Sequence, residues 1–114
     1  MIRLKNILKE SSDDETMSFE QFALKRLEGA TKIANDAKEK GGPALLTYNH
    51  FVVKLPYYKN ASNGNFDIDK SKELLDKKSK EFCEKIYSMG LSEIEFQKLV
   101  GEIEVLGELL LYKK

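Results

Sequence analysis

Few side chains in this sequence have the chemistry for catalysis. His50 is the sole histidine, so any dyad or triad that needs an imidazole as general base must use it. No nucleophile elbow, glycine-rich phosphate loop or cluster of metal-ligand residues accompanies it. Its ordinary role would be a polar residue on a mostly apolar helix, making one structural hydrogen bond. Cys83 follows Phe82 beside an apolar stripe, where a free cysteine behaves as a small hydrophobe. One cysteine cannot close an intrachain disulfide, and one Cys with one His cannot supply the four-ligand sets of structural zinc. The expectation is a protein with no catalytic residue, no metal and no cofactor.

Binding asks for less than catalysis, and one segment stands out for it. Residues 43–66 contain no Asp or Glu, yet hold Tyr48, His50, Lys54, Tyr57, Tyr58 and Lys59. Such a surface can take an anion or a nucleotide by charge and aromatic stacking. The competing reading is that tyrosines at helical spacing are core, with their hydroxyls at its rim. A second binding surface is expected on the last helix. There Val105, Leu106, Leu109, Leu110 and Leu111 put apolar side chains on more than one face, and such a helix is either buried on several sides or touches another chain. The expectation is self-association through Leu106, Leu109, Leu110 and Leu111.

The elements that must position these residues read as helices, and the fold class expected is all-α. Ser18-Phe19-Glu20-Gln21 has the capping-box spacing, and Phe19, Phe22, Ala23, Leu27, Ala30, Ile33, Ala34 and Ala37 then form one stripe, up to a stop at Gly41-Gly42-Pro43. Residues 43–54 favour strand by propensity. Helical spacing fits better, with Leu45, Tyr48, Val52 and Leu55 on one face, and the expectation is a shorter helix broken or kinked at Pro56. Tyr57-Tyr58 would begin its last turn, and a strand pair is the rival. A charged helix fits 69–89, capped by Asp67 or Asp69, with Ile68, Leu75, Phe82, Ile86 and Met89 inward and solvated pairs such as Glu73–Lys77 and Glu81–Lys85 outside. Gly90 suits the left-handed position that ends it, with Leu91 folding back. Ser92-Glu93-Ile94-Glu95 repeats the capping-box spacing, and Leu99, Ile103, Leu106 and Leu110 continue the last helix. So short a connection makes 72–111 an antiparallel hairpin. Three long helices and one shorter, proline-broken one result.

The whole chain has 114 residues, 41% of them hydrophobic, which is enough for one modest core. Nineteen basic residues against nineteen acidic ones leave no overall field for nucleic acid or an anionic bilayer. No apolar run approaches the roughly 20 residues of a membrane span, so neither general nucleic-acid binding nor membrane association is expected. The organisation expected is an amphipathic segment at 1–10, an acidic linker at 11–17 and one helical domain from Ser18 to the end.

The opening Met1–Ser11 resembles the N-terminal targeting peptides of internal head proteins in large contractile-tailed phages. Those peptides are about this length, mix apolar and basic residues, and end in Leu or Ile, any residue, then Glu, before a small residue at which a prohead protease cuts. Leu8-Lys9-Glu10-Ser11 fits that pattern. Small helical proteins of marine phages are also similar in their lysine- and glutamate-rich helices and in Pro56-Tyr57-Tyr58. The resemblance implies processing at Leu8, Glu10 and Ser11, and a setting in the host cytoplasm or the virion. The function expected is a non-catalytic phage-type accessory or internal virion protein that binds another protein or a second copy. The alternative is a cytoplasmic binder of an anion or nucleotide using residues 43–66.

Overall fold

The structure, a computed structural model, describes residues 17–113, and its class is all-α. Five helices make up the described chain: α1 (Phe19–Lys40), α2 (Ala44–Val52), α3 (Leu55–Ser62), α4 (Ile68–Tyr87) and α5 (Glu93–Lys113). The caps expected from sequence form. Ser18 accepts from the Gln21 N–H at 3.1 Å while its own N–H donates to the Gln21 side chain. Asp67, rather than Asp69, caps α4 by accepting from the Lys70 N–H. Each satisfies backbone donors that the first turn leaves without a helical partner.

The core gathers on one face of α1. Phe19, Phe22, Ala23 and Ala30 pack with Tyr58 and Ala61 of α3 and with Val105 and Leu109 of α5. Small side chains at Ala23, Ala30, Ala34 and Ala37 let α2 and α3 lie close along α1. Ile33, expected in that stripe, is instead 42% exposed. It lines a cleft between α1 and the α2–α3 pair. Tyr112 of α5 stacks on Phe22, with ring centres 3.9 Å apart, and its hydroxyl donates to the Met17 carbonyl, tying the start of the described chain to the end of α5.

Pro56 breaks the helix earlier than expected. A proline ring collides with the carbonyl four residues before it. For Pro56 that residue is Val52, where α2 ends. Pro56 then occupies the first turn of α3, where its missing N–H costs nothing, and Tyr57 and Tyr58 lie inside an eight-residue helix rather than starting a terminal turn.

α5 is the central strut. Gly101 marks its crossing with α2: a Cβ there would meet the His50 carbonyl oxygen at 2.3 Å and the Val53 side chain at 2.7 Å, so only glycine permits this approach. The other flank of α5 takes α4. Lys85 pairs with Glu95, Phe82 packs at a tilt against Phe96 and Lys78 pairs with Glu102, so residue numbers rise on one helix as they fall on the other. Because α4 packs chiefly on this one neighbour, it has no buried residue. Ile68, Ile86 and Met89, expected inward, are exposed, as is Cys83. The i,i+4 pair on α4 is Asp76–Lys80, while Lys85 turns to α5.

Candidate functional site

The acid-free segment 43–66 folds into α2 and α3, and α5 brings acids to it. Glu104 and Glu108 lie one turn apart on the α5 face that meets these helices. The Lys54 ammonium, on a side chain that is almost wholly buried, sits 2.9 Å from Glu104, and His50 Nε2 lies 3.4 Å from the same oxygen. That contact with Lys54, reinforced by His50, holds the Glu104 carboxyl below its usual range. Tyr58, buried in the core, donates its hydroxyl to Glu108 at 2.5 Å, and Arg26 of α1 approaches the other oxygen of Glu108 at 3.6 Å. Burial and the Glu108 hydrogen bond push the Tyr58 hydroxyl well above the ordinary range of a phenol. On the opposite flank Lys78 reaches Glu102 at 2.7 Å; burial first, then the charge of Glu102, raises Tyr57.

These contacts divide the six residues expected to form one ligand surface. His50, Lys54 and Tyr58 come together as a polar layer between helices: Lys54 and Tyr58 are paired with acids of α5 and His50 Nε2 lies beside Glu104, while the buried His50 Nδ1 has no hydrogen-bond partner among the described residues. Tyr57 belongs to the α4 side, Lys59 is exposed on α3, and Tyr48 lies 6.0 Å beneath the Lys38 ammonium of α1. A cleft of about 410 Å³ does open beside the layer, between Phe22, Lys25, Arg26 and Ile33 of α1 and Phe51 and Lys54. Its lining carries Lys25, Arg26 and Lys54 against Glu108; Arg26 is paired with Glu108 and Lys54 with Glu104, which leaves Lys25 without an ion pair among the described residues.

The expected self-association set also separates. Leu106 and Leu109 are 1% and 0% exposed and belong to the core, because α5 is enclosed by α1, α2 and α3 on one side and by α4 on the other. Leu110 is half-buried, and Leu111 alone stands out at 73% exposure. The processing residues Leu8, Glu10 and Ser11 lie outside the described residues.

The open surface lies elsewhere, around the α4–α5 turn. Two adjoining grooves of about 520 and 530 Å³ share Leu46, Ser92 and Glu93; Ile86, Met89 and Phe96 line the first, and Leu45 and Ile94 the second. Leu45, Ile86, Ile94 and Phe96 are each more than a third exposed, and Met89 is 90% exposed. Singly exposed apolar residues are ordinary, but a contiguous patch marks a contact surface.

Met89 is unusual in its backbone as well. The N–H of Gly90 donates to the Lys85 carbonyl and that of Met89 to the Ile86 carbonyl, which is the Schellman arrangement, with Met89 rather than Gly90 in the left-handed position at φ 56°. A side chain there costs about 1–2 kcal/mol relative to glycine. The chain thus carries an apolar side chain fully in solvent, in a conformation that disfavours it. Sequence reasoning missed this surface by assigning Ile86 and Met89 to a buried stripe. The available signal was the density of apolar residues about Gly90, namely Ile86, Met89, Leu91 and Ile94, where a connection would ordinarily be polar.

Among the described residues no three His, Cys, Asp or Glu side chains converge to hold a metal, and no helix is long and apolar enough to cross a membrane. No protein-family model matches the chain, and comparison with curated proteins and with solved structures found no similar protein.

Proposed function

We propose that this protein is a non-catalytic binding protein that docks another polypeptide on the apolar patch at the α4–α5 turn. The observation that carries this reading is Met89, 90% exposed and left-handed, on a surface that also displays Leu45, Ile86, Ile94 and Phe96. Local rules broken at an exposed position are the mark of a site that serves contact rather than stability. The rival reading, an anion or nucleotide on residues 43–66, is weakened by Glu104 and Glu108, which already hold Lys54 and Tyr58.

A photo-crosslinking side chain at position 89, in the cells that produce the protein, tests the reading. Discrete protein adducts are expected there and not from the same group at Leu24, which is exposed on α1 outside the patch. Equal yields, or none, would overturn it. The setting we propose, a phage-type accessory or internal virion protein, is supported by the opening Met1–Ser11. Purified virions should then contain the chain beginning at Ser11, and finding Met1 intact or no such protein there would remove that setting.

A further inference from the structure

We infer that the occupant of the patch is a second copy of this chain, giving a two-fold dimer built on the α4–α5 turn. This rests on the reading of the patch as a contact surface.

Charge is the first argument. In a two-fold interface each residue meets the same patch of its mate, so the patch must be complementary to itself. Lys85 and Glu93 border one groove, and they have opposite signs. Lys85 is held only at 3.6 Å by Glu95, and Glu93 makes no ion pair among the described residues. Two copies set face to face can therefore form the Lys85–Glu93 pair twice. A different partner steered by charge would fit a rim of one sign better than this mixed one. With nineteen bases and nineteen acids in the whole chain, two copies also approach without net repulsion.

Shape and size agree. Met89 stands out as a knob beside grooves of its own surface, which is the arrangement two copies can exchange: each Met89 enters the groove of the other beside Leu46 and Phe96. The exposed parts of Leu45, Ile86, Met89, Ile94 and Phe96 make an apolar patch of the size class, roughly 300–600 Å², that the largest patch of a monomer reaches. With its polar rim that approaches the roughly 800 Å² per partner of a standard interface.

Sedimentation velocity and light scattering on the full chain, from low micromolar to about 500 µM, test this. The expected result is a monomer–dimer equilibrium. Met89→Asp should weaken it at least about 50-fold while leaving the circular dichroism unchanged, and Ile86→Lys should act in the same direction. Lys85→Glu and Glu93→Lys should each weaken it, and the double variant should recover most of the loss, since both cross-pairs are restored with signs exchanged. A chain monomeric throughout, or a dimer indifferent to Met89→Asp, overturns the inference. If the purified chain is monomeric while position 89 crosslinks a different protein in cells, the second copy is wrong and the contact surface stands. If neither occurs, both fail.

Discussion

Replacing Gly101 with alanine should destabilise the protein, although the same change elsewhere on α5 should stabilise it. Alanine in a helix interior is favoured over glycine by about 1 kcal/mol. At Gly101 the added methyl would sit 2.3 Å from a backbone oxygen of α2, which cannot rotate away as a flexible side chain would. Ordinary contact requires α2 and α5 to separate by about 1 Å, a gap that forfeits a quarter to a half of the dispersion energy along the crossing. Overpacking of this kind costs about 1–3 kcal/mol and at a backbone contact falls at or above the upper end. The net loss should be about 2 kcal/mol, or a Tm lower by about 10 °C in a domain of this size. At Gly107, six residues along the same helix, a Cβ meets nothing within 4 Å. Gly107→Ala should therefore gain about 0.5–1 kcal/mol. Urea unfolding of the two variants, followed by circular dichroism with the slope m unchanged, gives both signs in one experiment. If Gly101→Ala proved as stabilising as Gly107→Ala, the close crossing of α2 on α5 would be refuted.

Three further outcomes follow from the same packing. Leu109→Asp should abolish cooperative unfolding, since it places a carboxylate among Phe22, Ala23 and Val105, while Leu111→Asp should change stability by less than about 0.5 kcal/mol; equal effects would contradict the position of α5. Glu104→Gln should cost about 1–2 kcal/mol by leaving the buried Lys54 ammonium short of its counter-charge, reduced from the value for a fully buried pair because Glu104 is half exposed, and Lys54→Met should cost less. The Glu104 carboxyl is depressed in the folded state, so its contribution is present above the unfolded pKa and lost as pH falls through the folded one; the acid-side stability slope should therefore be shallower in Glu104→Gln. Tyr58 behaves oppositely: its folded pKa is raised, so above about pH 10 the unfolded chain loses the proton first and stability falls with pH, a fall that Tyr58→Phe should reduce.

Legibility in the sequence followed the locality of the signal. The caps at Ser18 and Asp67 and the stop after Lys40 depend on residues within one turn, and they form as read. The multi-faced apolar character of the last helix was equally plain, but its cause was not. Only the structure shows α5 enclosed by α1, α2, α3 and α4, which places Leu106 and Leu109 in the core. Residues 43–66 failed for the same reason, since the absence of acids in that stretch says nothing about Glu102, Glu104 and Glu108, some fifty positions away. Around Gly90 the difficulty was a single residue of register: glycine was given the left-handed position that Met89 occupies, and an exposed methionine was thereby read as buried. The sequence holds the pieces of both sites, but the pairing of helices decides which piece faces which.

A contact surface at the α4–α5 turn must be covered where the protein works. Carbene footprinting of the full chain in the producing cells, compared with the purified chain diluted to nanomolar concentration, reads this residue by residue. Ile86, Met89 and Ile94 should be labelled readily in the dilute protein and protected in cells, while Leu24 and Leu111 are labelled alike in both. Equal labelling of Met89 in the two states, or protection confined to the cleft beside Ile33 and Lys25, would contradict it.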